Sequence, residues 1–243
     1  MSVGLATESR TADASMMAGV RSGFVTARNR FQSRGTMLLF VLAIALAISG
    51  GIIERRMTTF GAVDRSLVST FRLVLPLFAF ALTALASRHL SLREAAWSVA
   101  RFGAARRDVA LGIVLALLAA SGLGGFLLAA CAVLSAHNAS SRPLLAELFT
   151  SGWIGALVAG AYAAWFVFGS TFFYRGRGRW VVLLLDLMLG AGTGAIAAFF
   201  PRAHARGLLG DLGPTHFSQP QSCVALLLIL IVFAGLTLVR ARD

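Results

Sequence analysis

The chain has 243 residues, of which 58% are hydrophobic and 13% charged, with a mean hydropathy of +0.80 and a formal charge of +12. Soluble globular chains carry about a quarter charged residues. Apolar runs of roughly 18 or more residues recur here, so composition excludes an ordinary soluble domain and reads as a multi-pass membrane protein.

All 22 basic residues are arginine. They sit at the ends of apolar runs, which fits membrane flanks rather than a nucleic-acid surface. Without lysine, the chain has no G-x-x-x-x-G-K-[ST] phosphate-binding loop. If ATP drives it, another chain hydrolyses the ATP. Cys131 and Cys223 lie in or beside apolar spans. They offer neither a disulfide framework nor zinc-ligand spacing, and read as small buried residues.

Residues 1–15 are small, polar and aperiodic, and are expected to form a disordered cytoplasmic tail. The first apolar run begins only at Met37, so no signal peptide is expected. In 16–34, Met17, Val20, Phe24, Ala27 and Phe31 fall on one helical face. Arg21, Arg28, Arg30 and Arg34 occupy much of the remainder, the pattern of a helix lying in the headgroup plane. The alternative is a plain basic flank before the first span.

The fold class is an all-α membrane protein with one transmembrane domain over 16–243. Six spans are predicted at about 37–53, 67–86, 109–135, 148–173, 180–200 and 222–239. Six crossings put both termini on one side. The N-terminal segment, 87–108, 174–179 and the C-terminus hold 15 arginines, against 6 in the three other connections. The arginine-rich side, with both termini, is read as cytoplasmic.

The connection at 91–108, SLREAAWSVARFGAARRD, is patterned too regularly for a loop. Ser91 and Glu94 form a capping-box signature. Leu92, Ala95, Val99 and Phe102 then make an apolar stripe, and Gly103 ends the helix. Arg93, Trp97, Arg101, Arg106 and Arg107 remain for a partner or for lipid headgroups.

Small residues recur every four positions in two predicted spans. The fourth has Gly152, Ala156, Gly160 and Ala164, and the fifth has Gly190, Gly194 and Ala198. Ser121 and Gly125 follow suit in the third. Such rows let helix backbones approach closely in lipid, within a bundle or across a dimer. Trp180 suits an interfacial anchor. Two ionisable residues fall inside spans, Asp186 in the fifth and Arg72 in the second, near Pro76. An intramembrane carboxylate is costly and faces a cavity or partner, or else snorkels or stays neutral. By span positions, a direct Arg72–Asp186 pair requires tilted helices.

No histidine lies inside a predicted span, no pair has metal-ligand spacing, and HEXXH is absent. The sequence gives no catalytic or metal site. The sequon-like Asn138-Ala139-Ser140 is a short match with little weight.

The order of elements resembles the six-helix permease subunits of ABC-2-type bacterial exporters. Residues 18–45, AGVRSGFVTARNRFQSRGTMLLFVLAIA, resemble that family's basic opening helix running into its first span. Residues 91–112 resemble its cytoplasmic loop, in which Arg106, Arg107 and Gly112 fit a "P-[VL]-S-R-R-x-L-x-x-G" pattern. Gly103-Ala104-Ala105 departs from the usual proline-containing turn. Residues 199–222 have the position and Gly/Pro punctuation of the family's short helices that dip into the membrane from outside.

The resemblance implies a bacterial plasma-membrane protein that is not itself an enzyme. Two permease chains, identical or not, would work with separate ABC ATPase subunits, which hold ATP and magnesium. It makes 91–108 the coupling helix, with Leu92, Arg93, Glu94, Trp97, Arg101, Phe102, Arg106 and Arg107 its contact set. The alternatives are an ion-gradient carrier, which favours internal repeats and broken helices, and a non-transporting anchor subunit. No repeat between the two halves is visible.

Overall fold

The computed structural model describes residues 3–58, 60–138, 141–192, 195–210 and 217–241, with side chains from residue 15 onward. Among the described residues all regular structure is helical. The helices are α1 (Val3–Phe31), α2 (Arg34–Met57), α3 (Ala62–Ser69), α4 (Leu75–Ala86) and α5 (Leu92–Ala100). They continue with α6 (Arg106–Ala136), α7 (Leu144–Gly169), α8 (Gly178–Leu189), α9 (Pro201–Leu208) and α10 (Gln219–Arg240).

Five helical stretches among these residues are long and apolar enough to cross a membrane: α2, the continuous Ala62–Ala86, α6, α7 and α10. They cover five of the six predicted spans, the architecture of a multi-pass membrane protein. The fifth predicted span, 180–200, is not a single helix. α8 stops after 12 residues, about 18 Å of rise, short of the roughly 30 Å hydrocarbon core. Glycines at 190, 192 and 194 explain the stop, because each weakens a helix by about 1 kcal/mol relative to alanine. Pro201 then occupies the first turn of α9, where its missing N–H costs nothing. Of the 199–222 segment read as dipping back from outside, α9 is described and residues 211–216 lie outside the described residues.

Two further differences have local causes. α1 begins at Val3, so 3–15 is helical where the sequence predicts a disordered tail. The segment has no proline to stop it, so a helix nucleated downstream can propagate back through it. In the second span, residues Thr70–Val74 form a π-helical turn, with the Leu75 N–H donating to the Thr70 carbonyl. Pro76 has no N–H and its ring would press on the carbonyl of residue 72, four positions back; the widened turn relieves this.

α6 is the central helix, packed against α1, α2 and α7. At its crossing with α7, a Cβ on Gly125 would collide with the Gly155 carbonyl, and one on Gly155 with the Gly125 carbonyl. The two backbones are therefore in direct contact, with Ala129 and Ala159 beside them. The predicted α7 row is used differently. Gly152 packs on the Phe126 ring, Gly160 faces Leu230 of α10, and Ala156 is half-buried. Gly190 caps α8 against Arg202 instead of continuing a row, and Gly194 lies outside the described residues.

α1 also binds through small residues. Gly19, Gly23 and Ala27 are buried, with Gly23 against the Val109 carbonyl and Gly112 against Val20 and Phe24 backbone. Met17 and Phe24, on the predicted apolar face, remain exposed.

Candidate functional site

One end of the bundle gathers the C-termini of α4, α7 and α10 with α5 and the start of α6. Contacts define it: Arg30 of α1 donates to the Ala86 carbonyl, Arg179 reaches Ser87, and the Arg240 guanidinium lies 4.3 Å over the Phe172 ring. Burial and the nearby Arg88 charge lower the pKa of Arg30 from its ordinary value. Its guanidinium caps the carbonyl end of α4, where a cation is favoured.

α5 is built there as the sequence predicts. The Ser91 hydroxyl accepts from the Glu94 N–H at 3.2 Å, and a Glu94 carboxylate oxygen accepts from the Ser91 N–H at 2.8 Å. Together they satisfy two orphan donors at the helix start. Leu92, Ala95, Ala96 and Ala100 are buried and fix one face of α5 to the bundle. Leu92 belongs to that anchoring face, so its placement among partner-contacting residues is corrected: it is 0% exposed.

The exposed residues here are Arg93 and Trp97 on α5, Arg101 and Phe102 in the turn that follows it, and Arg107 in the first turn of α6. Phe102 is 79% exposed and Trp97 51%. The Arg106 guanidinium stacks 4.0 Å above the Trp97 ring and Arg101 sits 4.9 Å over Phe102. Such cation–π pairs hold amphipathic side chains in place at the surface. Phe102, expected on the apolar stripe, is outside it because α5 ends at Ala100 and Gly103 turns the chain at φ +103°.

Arg179 connects this surface to the interior. Counted in the sequence as one more positive flank, it is 3% exposed. Its Nε donates to the Gly176 carbonyl at 2.9 Å, its Nη1 to the Ser87 hydroxyl and its Nη2 to the Leu90 carbonyl, both at 3.2 Å. A further bond runs from Nη2 to the Arg175 carbonyl at 3.3 Å. The guanidinium fork thus ties the turn before α5 to the turn before α8. That second turn is strained, with Phe173, Arg175 and Gly176 all at positive φ. At Gly176 a side chain is excluded twice over, by φ +63° and by the Leu90 carbonyl that a Cβ would strike.

Asp186 lies on α8, two turns beyond Arg179, and is 0% exposed. Its carboxylate accepts from the Tyr162 hydroxyl of α7 at 3.2 Å and from the Arg202 backbone N–H of α9 at 3.4 Å. The second bond satisfies one of the orphan donors at the start of α9, so a carboxylate from one short helix caps the next. Trp165 seals the junction: its indole N–H donates to the Val182 carbonyl and its ring packs edge-on against Phe200 and Phe233. The α8–α9 break is therefore an ordered joint with a buried acid at its centre.

The structure does not pair Arg72 with Asp186, whose partners are Tyr162 and Arg202. Instead Arg72 and Arg202 line a common cavity. Nor does it bring Asp186 into contact with the α5 surface; Arg179 stands between them. Tyr162, Arg179 and Arg202 are the residues that sequence reasoning passes over. A tyrosine in an otherwise apolar span and arginines beside short glycine-rich turns are the signals available. Among the described residues no three His, Cys, Asp or Glu side chains cluster to hold a metal ion. In the sequon-like triplet, Ala139 and Ser140 lie outside the described residues. No family model, curated protein or solved structure matches the chain.

Proposed function

We propose that the chain is the transmembrane permease subunit of an ATP-driven exporter of the ABC-2 type, moved by a separate ATPase that docks on α5. The observation that carries this reading is α5 itself. A helix with a full capping box is anchored along one face by Leu92, Ala95 and Ala96 and leaves Arg93 and Trp97 exposed, with Arg101 and Phe102 exposed in the turn that follows. Exposed aromatics and arginines, paired with each other, are what a protein-binding surface offers. The arginine-rich end is cytoplasmic by the positive-inside rule, which puts α5 and both termini where an ATPase works.

In this reading the sixth crossing is the broken pair α8–α9. Their lengths, 12 and 8 residues, together give about 30 Å of helical rise, the thickness of the hydrocarbon core. Closure of two nucleotide-loaded ATPases displaces α5 in each of two permease chains. Arg179 passes the displacement to α8, and the Asp186 joint passes it to α9. Helices in backbone contact, as α6 and α7 are, move as rigid bodies between two discrete arrangements. Nucleotide and magnesium belong to the partner.

The test is co-purification from mild detergent of the wild type and of a variant with Trp97, Arg101, Phe102 and Arg107 changed to alanine. An ATP-hydrolysing chain retained by the wild type and lost by the variant is expected. Its absence from the wild type would remove the reading.

A second reading has one observation of its own. Broken helices that meet at a buried acid are the usual site of substrate or coupling-ion binding in gradient-driven carriers. Under that reading transport in vesicles collapses with an ionophore and is indifferent to ATP; under the first it follows ATP and survives the ionophore.

A further inference from the structure

Beside the α8–α9 joint, a cavity of about 190 Å³ is lined by Arg72, Arg202 and Arg206, with Val68, Phe71 and Leu209 among its apolar walls. Arg72 comes from the π-helical turn forced by Pro76. Arg202 and Arg206 are four apart on α9 and so share one face, where like charges repel. Among the described residues no acidic side chain lines the cavity. The carboxylate next to it, Asp186, interacts with the Arg202 charge and accepts from the Tyr162 hydroxyl and the Arg202 backbone N–H, but it is one acid beside three arginines.

Arg202 is the informative residue. It is 6% exposed, and its Nε and Nη1 are buried without a hydrogen-bond partner. An ionised guanidinium has five donors and cannot discharge itself by losing a proton. Leaving buried donors of a charged group unmet costs more than leaving neutral ones unmet. Three arginines border one small space with no acid in its described lining, and two guanidinium nitrogens of Arg202 are unpaired beside it; an anion entering there would complete the set.

We infer that this cavity binds a single phosphate group. The guanidinium fork matches phosphate oxygens in bidentate geometry, and a phosphate brings enough charge to offset more than one arginine. The volume, room for roughly six waters at about 30 Å³ each, accommodates a phosphate with a small substituent. The group arrives either on an anionic lipid, whose chains would leave along Val68, Phe71 and Leu209, or as a soluble phosphate. The inference stands apart from the ATPase reading, since it concerns neither α5 nor the source of energy.

The test uses the full chain, delipidated in a neutral detergent. The thermal-unfolding midpoint is followed against short-chain phosphatidylglycerol, short-chain phosphatidylcholine and inorganic phosphate, with sodium chloride at matched ionic strength as the screening control. Saturable stabilisation by phosphatidylglycerol alone supports the site and assigns it to lipid. Saturable stabilisation by inorganic phosphate as well supports it and assigns it to a free phosphate. Phosphatidylcholine and chloride are expected to do nothing. Arg72→Gln, at an exposed position that leaves the core intact, and Arg202→Gln are each expected to weaken the response at least tenfold. No saturable response from the wild type to either phosphate probe overturns the inference. So does an Arg72→Gln protein that binds as tightly as the wild type.

Discussion

Removing the Arg179 guanidinium is the perturbation whose consequence the geometry specifies most fully. Arg179→Ala deletes bonds to Ser87, Leu90, Gly176 and Arg175, and leaves those acceptors facing a void beneath the α5 turn. A hydrogen bond from a charged donor contributes about 1.5–3 kcal/mol. Bonds that share one donor group are not additive, so the loss is put at about 3–5 kcal/mol rather than four times the single value. For a chain of this size 1 kcal/mol corresponds to about 2–4 °C, and the unfolding midpoint in detergent is expected to fall by roughly 10 °C. Arg179→Lys recovers less than half of this, because a point ammonium cannot reach Ser87, Leu90 and Gly176 together. Hydrogen exchange adds a localised readout. Amides of the 87–92 and 174–179 turns, and of α5, are expected to exchange faster in Arg179→Ala while those at the α6–α7 crossing do not. A midpoint within about 2 °C of the wild type, with unchanged exchange in α5, would refute Arg179 as the tie between these turns.

Three further outcomes are expected. Valine at Gly125 or Gly155 drives a side chain into the facing backbone and is expected to cost at least about 3 kcal/mol, whereas Gly160→Val meets only a Leu230 methyl group that can turn away and costs about 1 kcal/mol or less. Thermal scans of the three variants in one detergent check that order. Ser91→Ala removes half of the capping box and is expected to destabilise α5 by about 1 kcal/mol, read as faster exchange confined to Leu92–Ala100. Asp186→Asn keeps an acceptor for Tyr162 and Arg202 and is expected to lower stability by no more than about 1–2 kcal/mol, while Asp186→Leu strips both donors of their partner and costs more. Membrane insertion and the thermal midpoint of each separate a cap from a charge needed only for function; the account requires Asp186→Asn to insert normally and to impair transport.

How far the sequence can be read depends on whether the relevant interaction is local. The capping box of α5 involves residues three apart, and Ser91 with Glu94 announces it. The long apolar spans declare themselves by length and composition. The fifth does not, because hydropathy continues through 190–200 while the backbone stops at a run of glycines. Spacing of four in Gly190, Gly194 and Ala198 mimics a packing row, although Gly190 ends a helix. The row in α7 is one register away from the closest contact: Gly155, rather than Gly152, Ala156 or Gly160, meets Gly125.

The long-range contacts are out of reach for a different reason. Arg179 and Arg202 look like any other basic flank in one dimension, and only the fold brings Ser87 and Leu90 to the first and the Arg72 cavity to the second. Asp186 is conspicuous in the sequence because an acid within an apolar run is costly. Its partners are not, since Tyr162 is 24 positions away and the Arg202 N–H is a backbone group that nearly any residue carries. Leu92 shows the converse error. Periodicity puts it on the apolar stripe while the family resemblance puts it in the contact set, and the fold follows the periodicity by burying it.

The central claim is that a nucleotide-hydrolysing partner sits on α5, and photocrosslinking in native membranes tests it most directly. p-Benzoylphenylalanine in place of Phe102, 79% exposed on that surface, is irradiated in cells and the crosslinked species identified by mass spectrometry. The same probe in place of Leu123, exposed on the flank of α6, is the control. The account predicts a covalent adduct between position 102 and an ATP-binding chain, and none from position 123. Crosslinks from position 102 to lipid alone, or to chains without a nucleotide site, would contradict it.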